Sequence, residues 1–130
     1  MSGFELAYTL HGGDAHKLTL PIKSGEAVKA GTLVQLDAGE AAVATAAATD
    51  NLGVCTGIDA NGAAVVVVDP QAVYRTTDAT ARALGATLDI ASGGRGVAAS
   101  SQATLIVAGL SPAGAKTLVK IAGAHHALMG

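Results

Sequence analysis

The feature that most constrains the fold of this chain is an internal repeat. Residues 54 positions apart match without a gap, and residues farther along match again at a separation of 52. Because the glycines match together with the apolar alternation, a shared abundance of Ala, Gly and Val does not account for it. We therefore predict two similar units, at about 25–69 and 79–121. The matched pairs are Gly31 with Gly85, Val34 with Leu88, Leu36 with Ile90, Gly39 with Gly93, Val54 with Ile106, Gly57 with Gly109 and Gly62 with Gly114.

Each unit consists of short alternating runs separated by turn residues. The first unit reads TLVQLD, AAVATA, LGVCTGI and AAVVVVD, and the second reads ATLDIA, GVAASS, TLIVAGL and KTLVKIA. Period-two alternation over four to eight residues, bounded by Gly, Asn and Asp, predicts strands joined by hairpins. The run 65–68 is β-branched throughout and fits a strand buried on both faces. The body is therefore predicted to be all-β, a small barrel or sandwich made from two similar β units.

A helix is the competing interpretation for residues 39–53, because alanine is the best helix former. The repeat counterpart of this segment contains Gly94 and Gly96 and does not favour a helix. If the two segments share a structure, it is strand and loop. A single helical turn is predicted within 77–85, with Asp78 as its cap and Gly85 as its stop.

The first 20 residues lie outside the repeat and are predicted to form an extended N-terminal arm, followed by a β domain over 21–130. The run FELAYTL alternates, and HGGDAH then interrupts the pattern. Two of the three aromatic residues of the chain lie in this arm, which is unusual for a mere tail. The alternation places four apolar side chains on one face: Phe4, Leu6, Tyr8 and Leu10.

Composition and charge argue against several classes of function. Half of the residues are hydrophobic but only 2% are aromatic, so the chain lacks the stacking residues of a sugar or single-strand binder. With 8 basic and 10 acidic residues and no basic run, nucleic acid is not an expected partner. The N-terminus does not resemble a signal peptide, and no apolar run reaches the ~20 residues of a membrane helix. A soluble protein with no membrane partner is expected.

No group of residues makes a persuasive active site, so no catalytic residue, metal or cofactor is predicted. His11, Asp14 and His16 could form a metal site, but their spacing matches no strand or helix pairing, and a solvated loop is preferred. Cys55 lies in an apolar run and is interpreted as a core thiol rather than a nucleophile.

Two loops carry weak signatures of binding. The segment 109–117, GLSPAGAKT, nearly matches a phosphate-binding loop, but Ala115 displaces Lys116 by one position and a strand follows instead of a helix. Nucleotide binding is therefore not predicted. Arg95, at a glycine-rich hairpin tip, is either a contact for a partner or a solvated loop charge.

The remaining charged residues are interpreted as surface features. Arg75 and Arg82 flank Asp78, and a local ion pair there would be worth little on a surface. His125 and His126 are adjacent near the C-terminus and are predicted to lie in an exposed tail.

The segments SGEAVKAGTLVQLDAGEAAVATAAATDNLGVCTGID and AAVVVVDPQAVYRTTDATARALGATLDIASGGRGVA resemble the head-decoration, or capsid-cement, proteins of tailed bacteriophages. The shared pattern is a turn such as KAG before a strand, a Gly-bearing hairpin, an Ala- and Thr-rich stretch, and then GV and a further strand. The resemblance covers about residues 20–121.

This resemblance implies a small β-barrel or tulip-like protein without catalytic residues, which binds the outside of an expanded phage head and stabilises it. Its partners would be the major capsid protein and further copies of itself, as a homotrimer. Its location would be the outer surface of the virion, after assembly in the host cytoplasm. The N-terminal arm, with the four apolar residues named above, would contact the capsid. Such a role needs contact area rather than chemistry, and an arm can add a strand to a partner sheet.

Two alternatives belong to other classes. Residues 25–44 resemble the entry into the central hairpin of lipoyl and biotinyl domains, which favours a carrier or adaptor module. That hairpin tip, LDAGE at 36–40, has no lysine to modify, and Lys23 and Lys29 flank the preceding turn instead. The other alternative is an enzyme that uses a metal at the histidine-containing loop of the arm.

Overall fold

The computed structural model describes residues 3–45, 50–78, 80, 82–109 and 117–127. Within these residues the chain forms strands and one 3₁₀ turn, and no helix there is long and apolar enough to cross a membrane. The strands are β1 (Glu5–Thr9), β2 (Lys17–Leu20), β3 (Leu33–Asp37), β4 (Glu40–Val43), β5 (Asn51–Ile58), β6 (Ala64–Val67), β7 (Ala72–Arg75), β8 (Thr87–Ile90), β9 (Val97–Ala98), β10 (Leu105–Gly109) and β11 (Leu118–Ile121), and the 3₁₀ turn is Gly123–His125.

The strands form two antiparallel sheets, which confirms the all-β prediction. The six-stranded sheet has the order β1-β7-β11-β10-β8-β9, and the five-stranded sheet has the order β2-β6-β5-β3-β4. Every alternating run identified in the sequence contains one of these strands. The sequence patterns missed β2 and β7.

The strand order is the same in both repeat units. In the first unit it is β6-β5-β3-β4, and in the second it is β11-β10-β8-β9. A preceding strand also flanks each unit on the same side, because β2 pairs with β6 and β7 pairs with β11. The similarity of the halves thus extends beyond the predicted boundaries, to residues 17–67 and 72–121. Among the described strands, only β1 lies outside it.

The N-terminal residues are part of the two sheets and do not form the separate arm predicted from the sequence. β1 pairs with β7 at the edge of the six-stranded sheet, and β2 pairs with β6 at the edge of the five-stranded sheet. The N-terminal segment, defined here as residues 4–20, therefore runs antiparallel to residues 64–75. Both stretches cross from one sheet to the other at the same place.

The apolar core lies on both faces of the five-stranded sheet. Leu33, Val54 and Val67 from this sheet pack against residues of the six-stranded sheet in one buried cluster. Their strand neighbours Val34 and Val66 belong to a second cluster on the opposite face. Because successive strand residues face opposite sides, this arrangement confirms burial of the valine run on both faces. Residues of the segment 20–28 and Ala127 cover the second cluster: Leu20, Ile22, Val28 and Ala127.

Two tight hairpins follow from the turn residues. The β3–β4 hairpin turns through Ala38 and Gly39 with φ of +52° and +84°, the left-handed pair that a two-residue turn requires. In the β5–β6 hairpin, Asp59 Oδ1 accepts hydrogen bonds from the N–H groups of Asn61 and Ala63, both at 2.9 Å. This confirms that a hairpin joins these two alternating runs, as the Asn and Gly residues between them predicted.

The described residues of 77–85 contain no helical turn, so the predicted one is not observed there. Ala83 to Ala86 instead make a turn with Gly85 at φ +86°. Asp78 accepts hydrogen bonds from the Thr117 hydroxyl at 2.8 Å and from Arg82, rather than from a helix N-terminus. Tertiary partners thus satisfy the carboxylate that the sequence suggested as a cap.

Gly53 of β5 has no room for a side chain between the backbone of β6 and the Tyr74 side chain of the six-stranded sheet. A Cβ atom at this position would lie 1.9 Å from the Val67 carbonyl oxygen and 2.4 Å from the Tyr74 hydroxyl. Both contacts belong to buried parts of the core, where neither neighbour can move freely. Only glycine fits.

The substitution Gly53→Ala is therefore expected to destabilise the protein by about 3 kcal/mol. This value is at the upper end of the usual destabilisation, about 1–3 kcal/mol, when an extra methyl group is forced into a packed core. Gly57→Ala on the same strand is the control, because a Cβ there has nothing within 4 Å. Urea unfolding followed by circular dichroism measures both. Equal stability of the two variants would contradict the close approach.

Candidate interaction surface

The N-terminal segment presents two of its four predicted contact residues to solvent, buries a third and partly buries the fourth. Phe4 is 2% exposed and Leu6 packs against the same core cluster. Tyr8 and Leu10 are 44% and 55% exposed. Phe4 and Leu6 therefore anchor the segment to the core.

A β-bulge explains why the four side chains do not share one face. Leu6 lies opposite Tyr74, but Tyr8 lies opposite Val73, so two residues of β1 oppose one of β7. The extra residue reverses the alternation, and Thr9, rather than Tyr8, is buried. A simple period of two cannot reveal this shift.

Leu18 adds a third exposed apolar side chain to the segment. It lies on β2 and is 51% exposed, whereas Val66, its partner on β6, is fully buried. Three of the five large hydrophobic side chains that are exposed in the described chain thus belong to residues 8–18. The sequence analysis missed Leu18, since β2 carries no clear alternation.

Asp69 fixes the place where the N-terminal segment crosses between the sheets. Its carboxylate is 4% exposed and accepts a hydrogen bond from His11 Nε2 at 2.7 Å and from the Gln71 N–H at 3.0 Å. The His16 N–H lies 3.4 Å from the same carboxylate. The Gly13 N–H donates to His11 Nδ1 at 3.1 Å, so the proton of a neutral His11 ring is on Nε2, directed at Asp69.

Main-chain hydrogen bonds on either side complete this crossing. The Leu10 N–H donates to the Gln71 carbonyl, and the Val68 N–H donates to the His16 carbonyl, both at 2.9 Å. Burial alone would raise the pKa of Asp69, but the hydrogen bonds from His11, Gln71 and His16 outweigh it and hold the pKa below its ordinary value. The carboxylate is therefore charged near neutral pH.

The histidine-containing loop is solvated as predicted, since residues 11–14 and His16 are exposed, and His11 also links it to Asp69. The His11 and His16 rings lie 6.2 Å apart. In the described part of the chain, no group of three or more His, Cys, Asp or Glu side chains is arranged to hold a metal ion.

Arg95 bonds within the chain, which neither interpretation of the sequence foresaw. Its Nη1 donates to the Ala30 carbonyl at 2.7 Å and to Thr32 Oγ1 at 3.2 Å. The neighbouring Gly94 carbonyl accepts from the Leu33 N–H at 2.7 Å. The hairpin tip of the second unit therefore binds the first unit at the turn before β3.

His126 is buried, so the prediction of an exposed tail is wrong for this residue. Its side chain is 1% exposed, and the residue forms a parallel bridge with Asn51. The Ala127 N–H donates to the Asn51 carbonyl at 2.9 Å. Burial lowers the pKa of His126, so the ring is neutral at pH 7. His125 is half-buried.

Two further carboxylates, the buried Asp89 and the partly buried Asp78, organise loops of the second unit. Asp89 is 5% exposed and accepts hydrogen bonds from the Ser101 N–H and hydroxyl and from the Gln102 N–H. Asp78 receives the bonds from Thr117 and Arg82 described above. Burial opposes ionisation of both, but these hydrogen bonds prevail and lower the pKa of each carboxyl. Arg75, predicted to flank this pair, forms an ion pair with Glu5 instead.

The other candidate residues have structural surroundings or lie outside the described part. Cys55 is fully buried and burial raises its pKa, in keeping with a core thiol. The tip of the β3–β4 hairpin carries no lysine, although Lys23 forms an ion pair with Asp37 beside it. Of the loop resembling a phosphate site, residues 110–116 lie outside the described residues, and strands precede and follow it.

Replacing Asp69→Asn is expected to cost about 1.5–3 kcal/mol, the range for hydrogen bonds to a charged group. The side-chain amide that replaces the carboxylate has only one acceptor oxygen. Its NH₂ group would face hydrogen-bond donors from which it cannot accept. Hydrogen exchange should accelerate first in residues 5–20, since their crossing point is lost. Asp14→Asn is the matched control, an exposed carboxylate nearby. If both variants exchange at the same rates, Asp69 does not hold the segment.

Stability is expected to fall in two stages as the pH drops. The folded pKa of His126 lies below 6.5, so the unfolded chain takes up its proton first and unfolding is favoured below about pH 6.5. Asp69, Asp78 and Asp89 have folded pKa values below 3.8, so their stabilisation persists above that value and is lost as the pH falls through the folded values. Urea unfolding between pH 8 and 3 measures both stages. His126→Gln should remove the first stage and His125→Gln should not; an unchanged profile in His126→Gln would contradict the assignment.

Comparison of the chain with protein-family models, with curated proteins and with solved structures finds no match.

Proposed function

We propose that the protein is a structural decoration protein that binds the outer surface of an expanded phage head and stabilises it, as a homotrimer. The observation that carries this proposal is the N-terminal segment. This segment contributes one edge strand to each sheet, β1 and β2, and it carries Tyr8, Leu10 and Leu18 in exposed positions. Outer strands expose unpaired backbone groups, and exposed apolar side chains favour association with another protein surface.

The hydrogen bonds that three buried or partly buried carboxylates accept from loop residues agree with such a role. Asp69 and Asp89 accept backbone N–H groups of the loops around them, and Asp78 binds Thr117 and Arg82. Each of these carboxylates therefore shapes a loop. A protein that works by contact area needs rigid loops of this kind, and trimerisation would multiply weak contacts through a high effective concentration.

We further propose that the five-stranded sheet is closed like a barrel, as the resemblance implies. One continuous stretch of chain reaches both of its edges. β2 pairs with β6, and Ile22 then bridges to Ala41 of β4. The Lys23 N–H donates to the Ala41 carbonyl at 2.9 Å, and the Ala41 N–H donates to the Pro21 carbonyl at 2.8 Å. Closure would leave the second core cluster as the barrel interior.

The docking residues differ from those expected from the sequence. The side chains of Phe4 and Leu6 hold the segment to the body. The side chains proposed to contact the capsid are therefore Tyr8, Leu10 and Leu18. Deleting residues 1–20 would remove two strands and a core side chain, and the body would not survive to be tested. Substitution of exposed side chains separates docking from folding.

The triple variant Tyr8→Ser, Leu10→Ser, Leu18→Ser is expected to stay folded and to lose at least about tenfold in affinity for expanded heads, since three apolar contacts are removed. Co-sedimentation with expanded and unexpanded heads measures binding, and light scattering after size-exclusion chromatography measures the oligomer. Ile58→Ser with Leu84→Ser is the control, because these residues are exposed elsewhere. Undiminished binding by the triple variant would reject the docking surface. A wild-type monomer without affinity for heads would reject the function.

A further inference from the structure

A cavity of about 380 Å³ opens beside the outer edge of β1. Its walls are β1 on one side and β5 on the other, and the Phe4 N–H donates to the Gly31 carbonyl at 2.9 Å where the two walls meet. This volume is at the lower end for a binding pocket and suits one or two side chains. The lining residues are Phe4, Glu5, Leu6, Lys17, Ala30, Gly31, Val54, Cys55 and Thr56.

Backbone groups of β1 face this cavity. Alternate residues of a strand direct their N–H and C=O groups to the same side. Since the Phe4 N–H points away from β7 to Gly31, the N–H and C=O groups of Leu6 point to that side too. In the described chain β1 has no second strand along this side. Leu6 therefore offers a donor and an acceptor to an added strand.

The charges at the cavity favour an acidic occupant. Glu5 is neutralised by its ion pair with Arg75. Lys17 is exposed, and among the described residues no carboxylate forms an ion pair with it. The rim thus carries one uncompensated positive charge, above walls that contain the apolar side chains of Leu6 and Val54.

We propose that this cavity binds an extended acidic segment of the capsid partner, which adds to β1 as a further strand. The inference rests on the proposed function and names the part of the partner that is recognised. Main-chain hydrogen bonds to Leu6 supply affinity, as in other cases of strand addition. An aliphatic side chain of the segment fills the space between β1 and β5, and a carboxylate next to it pairs with Lys17.

Two peptides test the chemistry without any capsid. Acetyl-Val-Glu-Val-Glu-amide is expected to shift the amide resonances of Glu5 to Ala7 and Val54 to Thr56 in the intact protein, and acetyl-Val-Lys-Val-Lys-amide is not. Lys17→Glu should weaken the acidic peptide about tenfold, the loss of a charge-assisted contact. Lys29→Glu, an exposed lysine that does not line the cavity, should leave it unchanged. Equal shifts with both peptides, or none at these residues, overturn the proposal.

Expanded heads test the partner. Thr56→Phe places a ring in the cavity. This variant and Lys17→Glu should each reduce head binding about tenfold. Thr19 lies on β2 and does not line the cavity, so Thr19→Phe should bind heads as the wild type does. If heads bind wild type, Lys17→Glu and Thr56→Phe equally, this inference fails and the proposed function stands. If the acidic peptide binds but no head does, the proposed function fails and the capsid partner named here is overturned.

Discussion

The structure depends on one buried carboxylate, Asp69, at the point where the chain passes between its two sheets. An unpaired charge would be costly at 4% exposure, so the group is retained only because donors from both crossing stretches converge on it. His11 comes from the N-terminal segment, and Gln71 comes from the turn between β6 and β7. This single acceptor therefore sets the position of the outer strand in each sheet at once. The surface that those strands present follows from it.

Local alternation was sufficient to predict most strands and both tight hairpins, because these depend on neighbouring residues alone. It was insufficient wherever a distant partner decides the outcome. The bulge at Tyr8 is set by pairing with β7, and β2 is recognisable only through its pairing with β6, since three of its four residues are exposed. The same holds for the site: Tyr8 and Leu10 were identified, but Leu18 and Asp69 were not.

The repeat explains the architecture, and the departures from it explain how the halves are joined. Both units have the same strand order, yet the Arg95 hairpin of the second unit bonds to the turn before β3 of the first. The corresponding tip of the first unit, Ala38 and Gly39, is a plain two-residue turn. Specific contacts between halves thus arise from residues that differ between the units. This division leaves β1 and β2, which each lie at an edge of one sheet, as the available surface.

The burial of His126 and Ala127 against Asn51 also has a consequence for biosynthesis. More than half the length of the chain separates these contacts, so the five-stranded sheet lacks part of its cover until residues 126 and 127 have been synthesised. Non-local contacts of this kind form late, and a nascent or prematurely terminated chain exposes apolar surface meanwhile. Chaperones would therefore act mainly on polypeptides that still lack residues 126 and 127, because Ala127 helps to cover the second core cluster.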